Sequence, residues 1–375
     1  MITVSQRKEL EAIAGRFQAA GTFEDVRRME AGHINKTFVV TMREAAGPHR
    51  YILQSINTAV FTHPEELMQN IVGVTTFLKK KIEEYGGDVR RETLTVIESV
   101  TGESFFVDAD GKYWRMYDFI EGATSYETIV RPILFKNTAR AFGKFQKLLA
   151  DYPAHTLFET IPKFHDTTDR MRQLREAVSA DRAGRVKDTA AEISFYMERE
   201  ALCGEIVGRI AAGELPLRVT HNDTKLNNIM IDNETDEGVC IIDLDTVMPG
   251  SVLYDFGDSI RFGASSAAED EKDLERVFVR LDLFETYTQG FLEAAGESLT
   301  ETEIELLPLS AKLMTMECGM RFLTDYLNGD VYFHTSYEGQ NLDRTRTHIK
   351  LISDMETKWE EMHQIVQRCR KDLSI

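Results

Sequence analysis

Residues 217–230 read Leu217-Arg218-Val219-Thr220-His221-Asn222-Asp223-Thr224-Lys225-Leu226-Asn227-Asn228-Ile229-Met230, a polar turn between two apolar β-type runs. Inside it lies the pattern H-x-D-x-x-x-x-N, formed by His221, Asp223 and Asn228. That interval lets a carboxylate and a carboxamide converge on one phosphate from different sides. The Asp then accepts or orients the proton of an attacking hydroxyl, and the Asn holds a magnesium ion. Without that chemistry the same residues form an ordinary polar turn. A second piece decides between the two readings. Cys240-Ile241-Ile242-Asp243-Leu244-Asp245 is a β run that ends in acids. Magnesium prefers a few hard oxygens together with phosphate oxygens, and Asp243 with Asn228 supplies such a pair. Asp245 reads as a solvated acid at the strand end.

Lys225 lies two residues beyond Asp223. Asp-x-Lys in such a loop aims an ammonium at the phosphoryl group in transfer, where charge must be neutralised; the bland alternative is a surface lysine. The tripeptide Asp255-Phe256-Gly257 resembles a metal-binding motif but lies beyond the Pro249-Gly250 turn. Asp255 is better read as the cap of a helix beginning near Phe256, with Asp258 as a structural partner of Arg261.

Before this region the texture is β-rich. Residues 4–19 form an amphipathic helical pattern, with Ser5 as its candidate cap. Short runs rich in Val, Ile, Thr and Phe follow at 36–42, 50–56, 92–99, 104–107 and 112–120. Turn residues separate them: Gly47-Pro48, Gly86-Gly87 and Asp108-Ala109-Asp110-Gly111. One helix, at 63–83, interrupts the strands. Beyond Glu121-Gly122 helical patterns dominate, at 132–151, 189–212, 269–297, 300–328 and 338–372. The expected architecture is α+β: a β-rich lobe at 1–118, a hinge at 119–124, and a mostly helical lobe at 125–375 that carries the catalytic turn. A cleft between two lobes is a common place for a ligand.

In the first lobe, Gly32-His33-Ile34-Asn35-Lys36-Thr37-Phe38 joins one strand to the next. Such a turn can lie over phosphates and donate backbone N–H groups, which makes Asn35, Lys36 and Thr37 candidates for nucleotide contact; a plain hairpin fits equally well. On the next strand Gln54 stands where a phosphate-binding lysine would be expected. Either its contact is a neutral hydrogen bond, or Lys225, Lys36 and magnesium supply the charge. The connector 114–122 is extended and aromatic, suited to adenine, and Tyr117 and Phe119 are its candidate contacts; it also reads as an ordinary buried strand.

With 62 acidic against 44 basic residues the net charge is −18, which argues against nucleic acid and an anionic membrane surface as partners. Four cysteines, Cys203, Cys240, Cys318 and Cys369, stand far apart with no CxxC pair. A zinc site or disulfide framework is not expected, and a reducing cytoplasm is. No apolar run approaches the roughly 18 residues of a membrane span, and the first residues lack the order of a signal peptide. No long heptad pattern appears, so a monomer is expected.

These blocks resemble the aminoglycoside phosphotransferase and choline kinase superfamily, whose fold is protein-kinase-like. Within it the chain is similar to the sugar 1-kinases that act on N-acetylhexosamines. That similarity rests on GHINKTF at 32–38, RYILQSIN at 50–57, the loop at 217–230, IIDLDTVMPGSVLYDFGDSIRFGA at 241–264, LMTMECGMRFLTDYLNGDVYF at 313–333 and RTRTHIKL at 344–351. It covers nearly the whole chain. It implies ATP-dependent, magnesium-dependent phosphorylation of the anomeric hydroxyl of N-acetylglucosamine or N-acetylgalactosamine. It further implies Asp223 as catalytic base, Lys225 as the loop's cation, Asn228 and Asp243 as magnesium ligands, and His33, Arg321 and Tyr332 with Asp223 at the sugar. Residue by residue these have plainer readings: Arg321 pairing with Asp325 on its own helix, Tyr332 as packing, His33 as a turn residue. Two rival functions stand beside it: a kinase of another small alcohol (an aminoglycoside, choline or homoserine), and a catalytically silent sugar or nucleotide sensor, which Gln54 invites. A third is a helical scaffold whose segment 338–372 binds a partner.

Overall fold

The computed structural model describes residues 2–29, 34–128 and 131–375. The chain begins with helix α1 (Val4–Ala14), which is capped by Thr3 in a reciprocal pair with Gln6; Ser5 lies inside the first turn. Then come β1 (Thr22–Arg28), β2 (Lys36–Glu44), β3 (Gly47–Ser55), helix α2 (Pro64–Glu84), β4 (Val96–Ile97), β5 (Phe106–Val107) and β6 (Tyr113–Asp118). They build one antiparallel sheet in the order β1-β2-β3-β6-β4, with β5 also on β6. The runs expected at 92–99 and 104–107 shrink to two-residue strands. The turn at 108–111 is as read, with Gly111 at φ +79° and the Asp108 carboxylate accepting from the Asp110 and Lys112 amides.

One face of the sheet packs on α1 through Leu10, Ile13, Phe17, Val40, Leu53, Trp114 and Met116. The other packs on α2, whose Leu67, Met68, Ile71 and Val74 are all fully buried. These α2 residues belong to a core that runs on into the helical half. Burial of so much apolar surface is the main stabilising term, and here it seats the sheet over the C-terminal half. Asn70 of α2 strengthens the junction: its Nδ2 donates to the Phe158 and Val247 carbonyls.

The second half contains β7 (Ala123–Thr124), α3 (Pro132–Leu148), α4 (Thr167–Ala180), α5 (Ala190–Met197), α6 (Glu205–Ala211), β8 (Arg218–Thr220), β9 (Ile229–Asp232), β10 (Gly238–Ile241), β11 (Met248–Gly250), α7 (Val252–Gly263), α8 (Leu281–Ala295), α9 (Glu301–Glu305), α10 (Leu307–Asn328), α11 (Gln340–Thr357) and α12 (Trp359–Leu373). Strands β9 and β10 form the expected hairpin, and β7 adds to the free edge of β9. Several helical stretches are shorter than the sequence periodicity implied. The stretch 189–212 divides into α5, a 3₁₀ turn and α6. Of 269–297 only α8 is α-helical, with a 3₁₀ turn at Leu274–Arg276 before it and another at Gly296–Ser298 after it. The stretch 300–328 breaks before Pro308, which cannot donate the hydrogen bond a continuous helix needs. Helix α4 was not foreseen; its buried side chains include Thr167 and Asp169 beside Met171, Leu174 and Ala177, too polar a face for apolar periodicity to reveal. No described helix is long and apolar enough to cross a membrane.

Candidate active site

The turn after β8 carries His221, Asn222 and Asp223. His221 is fully buried against Phe142 and Phe145, its Nε2 lies 2.9 Å from the Ile242 carbonyl, and its Nδ1 accepts from the Asp223 amide at 3.3 Å. The imidazole therefore bridges the loop to the end of β10. Asn222 sits at φ +65° and Asp243 at φ +58°, left-handed conformations that cost a non-glycine residue on the order of 1–3 kcal/mol and cluster at functional sites.

The loop is anchored from below by Asp255. Its carboxylate accepts the His221 amide at 3.0 Å, the Asn222 amide at 2.8 Å and Gln146 Nε2 at 2.7 Å, and its carbonyl accepts the Thr224 hydroxyl at 2.7 Å. Asp255 is thus no helix cap. Ser251 caps α7, and Asp255, one turn in, points its fully buried carboxylate at the 221–224 loop. Asp258 does pair with Arg261, at 2.8 Å.

Both amide hydrogens of Asn228 are committed to Asp223, one to its carbonyl at 2.8 Å and one to its carboxylate at 3.0 Å. That leaves the side-chain oxygen Oδ1 of Asn228 as the atom it could offer a cation. Lys225 Nζ lies 2.8 Å from the other Asp223 oxygen. Burial opposes the charge on Lys225, but Asp223 and Asp258 outweigh it and raise its pKa above the ordinary value. The Ile242 amide donates to the Asn228 carbonyl at 2.9 Å, which brings Asp243 alongside. Solvent reaches the Asp243 side chain although protein surrounds it, as on the floor of a cleft. Its pKa is raised first by that enclosure and then by the neighbouring carboxylates of Asp245 and Asp223. Carboxylates gathered this closely favour a bound cation, and the donor set, hard oxygens from Asp243 and Asn228, suits magnesium.

On the sheet side, Asp245 is 3% exposed, not a solvated acid. Asn35 Nδ2 donates to it at 2.6 Å, and Arg115 Nη1 lies 2.5 Å from its other oxygen. Arg115 Nε donates to Gln54 Oε1 at 2.9 Å, and Gln54 Nε2 to the Thr37 hydroxyl at 3.0 Å. So Asn35, Thr37 and Gln54 join one network with the segment after β10. Lys36 is exposed and forms no ion pair among the described residues. Tyr117 is buried under the sheet, with the Arg115 guanidinium 5.3 Å from its ring. The Phe119 amide donates to the Arg50 carbonyl, and its ring lies 4.0 Å from the Arg50 guanidinium. His33 falls outside the described residues.

On the far side of Asp223, Arg321 of α10 does not pair with Asp325. Its guanidinium stands among the rings of Phe164, Tyr332 and Phe333 at 5.4–5.9 Å, while Asp325 accepts the amides of residues 331–333. The Tyr332 side chain is mostly exposed. Behind Arg321 lies a pair the sequence reading missed. His165 Nδ1 is 2.8 Å from Glu317 Oε1, and its Nε2 is 3.1 Å from the Asn222 carbonyl. An acceptor at each nitrogen favours the doubly protonated ring. Burial opposes the charge on His165, but Glu317, Asp258 and the Asn222 carbonyl outweigh it and raise the His165 pKa; burial likewise opposes the charge on Glu317, and His165, Arg321 and Arg170 outweigh it and lower the Glu317 pKa.

The pH consequence follows. The raised His165 contributes stability that is fully present below its unfolded value of 6.5 and lost as pH rises through its folded value. The lowered Glu317 contributes stability present above 4.5 and lost as pH falls through its folded value. Glu317→Gln should therefore lower the unfolding midpoint most between pH 4.5 and 6.5. The gap to the parent should narrow in more alkaline buffer. Unfolding midpoints followed from pH 4.5 to well above 6.5 check it, and a gap that stayed constant into the alkaline buffers would rule out an ionised pair.

A cavity of about 550 Å³ opens beside α7 and α11, lined by Arg261, Glu269, Thr347 and His348 among others. Asp223, Asn228 and Asp243 are not in its walls, so it is separate from the place where these groups meet.

A family model described as the phosphotransferase enzyme family matches residues 25–280. The chain belongs to this family. Its fold is also that of solved phosphotransferases. A microcompartment-associated aminopropanol kinase shares 15% identity at a TM-score of 0.62, with 95% of this chain and 98% of that one covered. A spectinomycin phosphotransferase, solved with ADP and spectinomycin, shares 12% at 0.57 over 96% and 99%. A choline kinase from Cryptosporidium parvum Iowa II shares 13% at 0.56 over 98% and 99%. This phosphotransferase thus has the two-part α+β architecture expected, an antiparallel sheet followed by a helical region.

Proposed function

We propose that the chain transfers the γ-phosphoryl group of ATP to the anomeric hydroxyl of an N-acetylhexosamine, giving the sugar 1-phosphate by direct in-line displacement. The observation that carries the reading is the gathering of Asp223, Asn228, Lys225 and Asp243 around one point at the junction of the two halves. Residues 119–124 act as the hinge, and the enzyme is taken to be cytoplasmic and monomeric.

In this scheme the Asp223 carboxylate accepts the sugar hydroxyl's hydrogen bond, aligns its oxygen for attack and takes its proton late in transfer. Lys225 faces the phosphoryl group and offsets its growing charge. Asn228 and Asp243 would hold the metal. A magnesium ion at such a pair would neutralise charge on the phosphate oxygens. Asn35, Lys36, Thr37 and Gln54 face the phosphates, and Tyr117 and Phe119 border the base. His33, Arg321 and Tyr332 take the sugar.

The acceptor side favours a neutral sugar over a cationic alcohol. Arg321 stands close enough to Arg170 to oppose its charge. Choline or an aminoglycoside would meet these cations, whereas sugar hydroxyls and an acetamide carbonyl accept from them. Phosphorus NMR of the product, with ATP, magnesium and N-acetylglucosamine, N-acetylgalactosamine, choline or kanamycin, tests the reading. A sugar 1-phosphate signal is expected. Product from choline or kanamycin alone would replace it with the amino-alcohol reading, and sugar binding without product would indicate a sensor.

Magnesium dependence gives a second check. Asn228→Ala and Asp243→Ala should each shift the half-saturating magnesium concentration upward by about tenfold or more, since a lost ligand forfeits a charge-assisted contact. Superimposable titration curves for both variants and the parent would assign the metal to other residues.

A further inference from the structure

Gln54 on β3 and Arg115 on β6 are direct register partners, so their side chains stand on the same face of the sheet one strand apart. The position where a phosphate-binding lysine was sought therefore holds a neutral amide, and the strand beside it holds a cation. Arg115 is 1% exposed. Its Nε is spent on Gln54 and its Nη1 lies 2.5 Å from Asp245 Oδ1 as an ion pair, and neither of these last two atoms makes a hydrogen bond among the described residues. The network extends in both directions, from Gln54 to Thr37 on β2 and from Asp245 through Asn35 to the Asn57 amide at 2.9 Å. One continuous path thus ties the turn entering β2 to the segment that follows Asp243.

A lone buried charge is expensive, and a buried ion pair contributes little net stability compared with well-packed neutral residues. Structure alone does not require the pair. Charge in the right place does have a use here: Asp243, Asp245 and Asp223 gather at the point where a triphosphate must also bind, and Arg115 is the enclosed cation that faces both Asp245 and Asp243.

We propose that Arg115 is a positioning residue for the nucleotide: it supplies from β6 the fixed positive charge that residue 54 lacks, and through Asp245 it holds Asn35 over the metal-binding segment. The proposal rests on the reading of the cleft as a nucleoside triphosphate site.

The register partnership makes this testable by moving the charge. Arg115→Met, Arg115→Met with Asp245→Asn, and Arg115→Met with Gln54→Lys are compared with the parent. Each is measured for unfolding midpoint, calorimetric affinity for a magnesium complex of a non-hydrolysable ATP analogue, and KM for ATP against kcat. Arg115→Met should lower the unfolding midpoint, because Asp245 is left unpaired, and weaken nucleotide affinity about 10- to 100-fold, the value of one or two charge-assisted contacts. Adding Asp245→Asn should restore the midpoint but not the affinity, with the loss in KM for ATP. Adding Gln54→Lys should regain about tenfold or more of the affinity, from a cation one strand away. Full recovery of affinity in the Asp245→Asn double variant would reduce Arg115 to a counter-ion, and no regain with Gln54→Lys would refute relocation of the charge. Should the parent itself fail to bind the magnesium–nucleotide complex, the nucleotide-site reading fails and this proposal with it; equal binding by parent and variants sinks the proposal alone.

Discussion

Asp223→Asn should leave a folded protein that binds nucleotide within about threefold of the parent and turns over about 10²–10⁴-fold more slowly, the usual range for removing general-base assistance. The substitution keeps the shape and one acceptor oxygen. The Asn228 bond to the Asp223 backbone carbonyl, at 2.8 Å, is untouched. What disappears is the negative charge that Lys225 faces at 2.8 Å and the basic oxygen that would take the acceptor's proton. Because the interaction operates in the transition state, the loss belongs in kcat with little change in KM for ATP. Single-turnover transfer measured beside analogue binding separates the two. Parental turnover in the purified variant would remove Asp223 from its role and require another base.

The parts of the site that the sequence exposed are those contiguous in the chain. His221, Asp223, Lys225 and Asn228 fall within eight residues of one another, and a hairpin suffices to bring Asp243 beside them. What stayed hidden depends on partners far apart in sequence. Gln146 reaches Asp255 across 109 residues, His165 reaches Glu317 across 152, and Asn35 reaches Asp245 across 210. No local pattern reports such pairs, so Asp245 was read as solvated and Asp255 as a cap, each reasonable for an acid at an element's end. A faint signal did exist for Arg115: a charged residue amid the apolar strand 113–118, where burial demands a counter-charge. The fold followed the same rule. An antiparallel sheet followed by a helical region was legible from alternation and turn residues, while the order of strands in the sheet was not. Helix α4, with its polar buried face, and the splitting of the long helical stretches depended on tertiary packing.

The sharpest contrast between local reading and structure lies at the start of α7, where two neighbouring residues exchange roles. Ser251→Ala should cost about 1 kcal/mol, the ordinary value of a lost cap, with parental kcat. Asp255→Ala should behave quite differently. Three buried donors, the His221 and Asn222 amides and Gln146 Nε2, lose their acceptor, and an orphaned buried donor costs about 1–3 kcal/mol. Shared solvent and loop relaxation make the sum less than additive, so a loss of about 3–5 kcal/mol is expected from these donors. Asp255→Asn keeps the volume but turns one oxygen into a donor facing donors, and should recover little. The functional effect comes through Asn222, whose left-handed backbone is held by the 2.8 Å bond to Asp255 immediately before Asp223, the proposed base. Released, the loop lets Asp223 drift, and a displacement near 1 Å is worth about 10² in rate. Denaturant midpoints, with kcat taken well below them, resolve both effects. If Asp255→Ala lost only a cap's worth of stability and kept its turnover, the loop would be held by something other than this carboxylate.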